Sequence, residues 1–135
     1  MPSFSLPGAR LAAIVFAALT GVVCAFQLAL AVGMPWGEYA MGGAFPGVMP
    51  PAMRVAAVVQ VGVLVAVALV VASRAGLVLP GWRRAARPLT LAIVGLLGLG
   101  VILNLITPSP MERLIWAPVA TALFLSALRV AWSPP

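Results

Sequence analysis

The chain has 135 residues, 64% hydrophobic and 7% charged, with a net charge of +6; globular proteins carry roughly a quarter charged residues and cannot bury so much apolar surface in so short a chain. Its charges are Glu38, Glu112 and arginines 10, 54, 74, 83, 84, 87, 113 and 129, and it contains no Lys, Asp or His. That set removes the imidazole base, the usual haem and zinc ligands, the Schiff-base lysine, the aspartyl nucleophile and the Ser-His-Asp triad, and with Cys24 alone there is neither an internal disulfide nor a thiolate cluster.

Four apolar segments follow one another at residues 11–32, 53–72, 89–106 and 111–130. Each is close to the roughly 20 residues that cross about 30 Å of hydrocarbon. The pattern predicts an all-α membrane protein, a four-transmembrane-helix bundle forming a single integral membrane domain over residues 1–135.

In the first segment Ala13, Ala17, Gly21, Ala25, Ala29 and Gly33 recur at every fourth position. In lipid, where apolar burial gains little, such a seam lets a second helix approach closely, so it predicts a packing face for an internal helix or another protomer. Arg10, the apolar run and Ala29-Leu30-Ala31 also fit a cleaved signal peptide, although the run exceeds the roughly 7–15 apolar residues of such a region.

The first connection, within GMPWGEYAMGGAFPGVMPPAMR, is far longer than the roughly 2–8 residues usual between bundled helices. Trp36, Tyr39, Met41, Phe45 and Met49 make it too apolar for a solvated linker. Pro35 followed by WGEYAM predicts one short interfacial helix, ended by Gly42-Gly43, that lies as a lid over the bundle. Pro50 and Pro51 precede the second helix. Pro88 opens the third and Pro108 closes it; Pro110 opens the fourth, and Pro134 and Pro135 follow it. Proline suits a first helical turn because its missing N–H has no partner there in any case. Ser109-Pro110-Met111-Glu112 reads as a capping box, which gives Ser109 and Glu112 a structural role.

Arginine placement predicts the orientation. With the N-terminus inside, Arg10, Arg74, Arg83, Arg84, Arg87 and Arg129 are cytoplasmic, while Arg54, Arg113 and both glutamates are outside. That is a positive-inside bias, and it predicts N-in and C-in, with a long ordered outer loop between helices 1 and 2. Trp82 and Trp132 then fall at the inner interface and Trp36 at the outer. The loop cluster Arg83, Arg84 and Arg87 reads as an orientation signal or a contact for anionic lipid head groups, not as a nucleic-acid surface.

Polar side chains inside spans are costly, and they act either as glue between helices or as functional groups. Gln27, Gln60 and Asn104 fall at similar depth near the outer ends of the first three helices, with Thr121 a weaker member. Each amide both donates and accepts, so the three can clamp helices together or line a polar cavity. Arg54 and Arg113 stand in the first turns of their helices, where the dipole disfavours a cation, and Glu38 is expected to pair with one of them.

GMPWGEYAMGG with the following PPAMR, and the later set of Asn104, Ser109 to Arg113 and Pro118, resembles a group of small, functionally uncharacterised four-helix bacterial integral membrane proteins. The resemblance implies a multi-pass protein of the bacterial cytoplasmic (inner) membrane and brings no activity with it. Three functions stay open. The first is a non-enzymatic bundle that binds a membrane-protein partner or another copy of itself, with a polar site at the outer face. The second is a small transporter or channel, or a binder of a lipid-like or cationic molecule. The third is an outer-leaflet lipid or quinone enzyme using Glu38 as base and Arg54 and Arg113 as anion clamps. The residues offer no metal site and call for no cofactor.

Overall fold

The computed structural model describes residues 5–134, so Pro135 lies outside it. The described chain is helical throughout: α1 (Ser5–Val32), α2 (Pro51–Arg74), α3 (Ala86–Ile106) and α4 (Pro110–Ala131), joined by segments that carry 3-10 turns at Gly37–Tyr39, Met41–Gly43 and Pro80–Trp82. Among the described residues these four helices are long and apolar enough to cross a membrane, which makes the chain a multi-pass membrane protein.

The proline boundaries hold with small shifts. Pro51 and Pro110 occupy the first helical positions of α2 and α4. By contrast α3 begins at Ala86, two residues before Pro88; a proline within the first turn removes no intrahelical bond, so it does not delay the start. At the end of α1 Gly33 adopts φ +104°. Its amide donates to the Leu30 carbonyl at 3.2 Å, and the Met34 amide donates to the Ala29 carbonyl at 3.0 Å. This is the Schellman closure, in which the residue after the helix takes a left-handed conformation that glycine adopts without strain.

Gly33 therefore terminates α1, and the small-residue seam is not a packing stripe within the chain. Ala13 is buried, but Ala17, Gly21 and Ala25 are exposed, and a Cβ added at Gly21 would meet no atom within 4 Å. The reason is helical geometry. At 3.6 residues per turn, each four-residue step advances the face by about 40°, so a long row of such steps rotates out of any straight interface.

α1 packs most closely on α2 and α4 on α3, and α1 also runs along α4. The main core, with Phe16, Val71, Ile93, Leu123, Ala127 and Val130, sits where α1 begins, α2 ends and α4 ends. Below the first loop a smaller cluster joins Leu30, Met49 and Ala57. α2 and α3 share less packing: the residues they give to the main core are Val67 to Ala75 and Ile93 to Leu97, whereas farther along Gln60, Val63, Ile102 and Leu103 are exposed. The packing that the two helices share with the main core thus lies toward one end.

Arginine side chains close the helix ends. Arg74, the last residue of α2, is fully buried, and its Nη2 donates to the Ser133 carbonyl just beyond α4 at 2.8 Å. Arg83 Nε donates to the Arg74 carbonyl at 3.2 Å and Arg83 Nη2 to the Pro134 carbonyl at 2.9 Å. Carbonyls at a helix C-terminus have no intrahelical partner and carry the negative end of the dipole, so a guanidinium is well matched to them. Arg83 is therefore engaged within the chain, while Arg84 and Arg87 are exposed.

Candidate functional site

At the end opposite Arg74 the four helices and the first loop enclose a cavity of about 440 Å³, within the 300–1,000 Å³ typical of small-molecule sites. Each helix contributes a stripe at helical spacing: Val23, Gln27 and Leu30 from α1, Met53, Ala57 and Gln60 from α2, Leu97, Gly100 and Asn104 from α3. α4 adds Glu112, Trp116, Ala120 and Leu123, and Tyr39, Met41 and Met49 of the loop complete the wall. The lining is mostly apolar, with Gln27, Gln60, Asn104 and Glu112 as its convergent polar groups. The cavity is only partly enclosed, and Gln60 on its α2 side is exposed.

The three amides expected to converge thus share one cavity, but no hydrogen bond joins them to one another. Asn104 Nδ2 donates to the Gly100 carbonyl of its own helix at 2.8 Å. Thr121 stands outside the group, bonded to the Ala117 carbonyl one turn earlier at 2.8 Å.

The loop is not a single interfacial helix. Its two 3-10 turns are separated by Ala40 in extended conformation, and Met41, Gly42 and Gly43 all have positive φ, of 52°, 68° and 76°. Three consecutive left-handed residues cannot continue a right-handed helix, so the chain doubles back. Gly37 permits the return: its amide donates to the Gly47 carbonyl at 2.8 Å, and a Cβ there would run into the carbonyl oxygen of Phe45. α4 then holds the loop by three bonds. Ser109 Oγ donates to the Glu38 carbonyl at 3.0 Å, Trp116 Nε1 to the Tyr39 carbonyl at 2.9 Å, and the Gly42 amide to Glu112 Oε2 at 2.8 Å. Phe26 joins the layers from α1, tilted against Trp116 with ring centroids 4.7 Å apart and stacked on Trp36 at 6.4 Å.

Glu112 is more than a cap. The Ser109 hydroxyl accepts from the Glu112 amide at 3.2 Å, which is one half of the expected capping box. The other half is absent: the Ser109 amide donates to Thr107 Oγ1 at 3.4 Å, and Thr107 Oγ1 in turn donates to Glu112 Oε2 at 3.0 Å. Relieved of its capping bond, the carboxylate turns toward the loop and the cavity.

The expected pairing of Glu38 with Arg54 or Arg113 does not occur among the described residues. Arg54 Nε donates to the Ala31 carbonyl near the end of α1 at 2.8 Å, and Arg113 Nη2 donates to the carbonyl of Thr107, the residue capping α3, at 2.7 Å. Both cations find the negative end of a neighbouring helix instead of a carboxylate. Each lines a separate, more open hollow outside this cavity, so the base and its two anion clamps are not assembled. Glu38 is exposed. By hydrogen bonding first and by its charge second, it holds the Tyr39 hydroxyl above the usual tyrosine range, with burial adding to both.

Thr107 and Trp116 were not foreseen as site residues. The signal for Trp116 is its place four residues after Glu112, one turn along the same face. Comparison with protein-family models, curated proteins and solved structures finds no match for this chain.

Proposed function

We propose that this protein binds an amphiphilic small molecule in the cavity beneath its first loop, with the polar head at Glu112 and the amides and the tail leaving between α2 and α3. The observation that carries this reading is the cavity itself: an apolar wall drawn from all four helices with a few polar groups converging on it, beside two helices, α2 and α3, that share little packing. Binding sites for small molecules share this composition. In this reading the chain lies in the bacterial cytoplasmic membrane with both termini inside, as the arginine distribution favours, and the cavity opens to the outer leaflet.

The test uses a substitution that fills the cavity while keeping every polar side chain of its wall. Protein purified from its native membranes in mild detergent is analysed by native mass spectrometry, as wild type and as Gly100→Leu. The reading predicts a small-molecule adduct on wild type that is lost from Gly100→Leu at equal thermal stability. Equal adducts on both, or none on wild type, would contradict it.

A second reading, association with a membrane partner or a second copy, is favoured by the exposure of Ala17, Gly21 and Ala25 on α1. Small residues of this kind let another helix approach closely in lipid.

A further inference from the structure

The wall of the cavity carries one sign of charge. Glu112 lines it, and both bonds its carboxylate accepts among the described residues fall on Oε2, from the Gly42 amide and the Thr107 hydroxyl, so Oε1 accepts none. The two arginines in the first turns of α2 and α4 are directed elsewhere, Arg54 to the Ala31 carbonyl and Arg113 to the Thr107 carbonyl, each in a separate hollow. The remaining polar side chains, which include Gln27, Gln60, Asn104 and Tyr39, are neutral, and the three amides offer acceptor oxygens. Phe26, Tyr39 and Trp116 add aromatic surface to the same wall, and ring faces attract cations. An anionic head would meet a carboxylate in a wall whose lining includes no guanidinium.

From this we infer that the cavity selects amphiphiles with a cationic, hydrogen-bond-donating head, such as a long-chain primary amine, over those with an anionic head. The inference rests on the amphiphile-binding reading above and adds the head-group chemistry. An ammonium supplies three donors, one for the unoccupied oxygen of Glu112 and others for the amide carbonyls. A charge-assisted bond of this kind is about twice as strong as a neutral one.

Trp116 provides the probe, because it lines the cavity and is held by the Tyr39 carbonyl. The protein, with Trp36, Trp82 and Trp132 replaced by Phe, is placed in phosphatidylcholine nanodiscs and titrated with bromine-labelled dodecylamine, dodecanol or laurate. A second variant retaining Trp132 alone, exposed at the other end, reports quenching from the bulk bilayer. The expected result is that the amine quenches Trp116 at about one-tenth the concentration needed for laurate, a difference of one power of ten in affinity, with the alcohol between them. Glu112→Gln should remove most of the advantage of the amine over the alcohol while the alcohol still quenches. Two results overturn the inference and leave the cavity reading intact: quenching by the alcohol with no preference for the amine over laurate, or an amine preference unchanged in Glu112→Gln. If no probe quenches Trp116 more than Trp132, the cavity holds bulk lipid tails only, and both the inference and the reading beneath it fail.

Discussion

The amide of Gly42 donates to Glu112 Oε2 at 2.8 Å, across a sequence separation of 70 residues. This bond ties the turn of the first loop to the first turn of α4, and it uses the carboxylate that the local sequence assigns to capping. Replacing Glu112 by Ala leaves the Gly42 amide and the Thr107 hydroxyl without their acceptor, at a cost of about 1–3 kcal/mol. Thermal unfolding in detergent should show a clear loss for Glu112→Ala and a smaller one for Glu112→Gln, which keeps an acceptor oxygen. Glu38→Gln, at an exposed side chain, should leave the midpoint nearly unchanged.

Arg54 and Arg113 cap the carboxyl ends of α1 and α3, so neither depends on Glu38. Each of Arg54→Gln and Arg113→Gln should cost about 1 kcal/mol, in keeping with a cation at a helix C-terminus. The double charge swap Glu38→Arg with Arg54→Glu should be no more stable than Arg54→Glu alone. Recovery of the wild-type midpoint by the swap would show that an ion pair forms after all.

Arg74 is a buried clamp and Arg84 a surface charge. Loss of the guanidinium in Arg74→Ala strands the Ser133 carbonyl and opens space at that end of the bundle. The expected destabilisation is at least the 1.5–3 kcal/mol or so of a hydrogen bond to a charged group. Arg84→Ala should be neutral in the same unfolding assay.

Tyr39 is the sole tyrosine of the chain, which makes its titration readable by ultraviolet absorbance. Glu38 raises the pKa of its hydroxyl, chiefly by hydrogen bonding, so the folded state favours the neutral phenol. The associated stability is fully present below the ordinary value of about 10 and is lost as pH rises through the raised folded value. Wild type should titrate above Glu38→Ala; coincident curves would remove Glu38 as the cause.

Gly37 should tolerate no side chain, because its Cβ would collide with the Phe45 carbonyl. Gly37→Ala is expected to disrupt the loop and make it sensitive to limited proteolysis, whereas Gly21→Ala, in open space, should behave as wild type. Equal protease resistance of the two variants would contradict the close approach.

Helix number and most boundaries are legible in the sequence because apolar length and proline placement act locally. The convergence of Gln27, Gln60 and Asn104 is legible as well, since depth in a membrane span follows from position along a helix. What escapes is set by contacts between distant segments. The four-residue repeat from Ala13 to Gly33 resembles a seam, but helical drift carries Ala17 and Gly21 out to the surface. The S-P-M-E sequence resembles a closed capping box, yet Thr107 and Gly42 compete for its carboxylate. Arg54 and Arg113 read as cations in need of an acid because a sequence shows side-chain charges and not the free carbonyls at the ends of neighbouring helices.

The most direct test of amphiphile binding is fluorescence quenching of Trp116, as the sole tryptophan, by bromine-labelled dodecanol in phosphatidylcholine nanodiscs, measured in parallel for Gly100 and Gly100→Leu. The account predicts strong, saturable quenching in the first and its loss in the second. Unsaturable quenching of equal strength in both would contradict it.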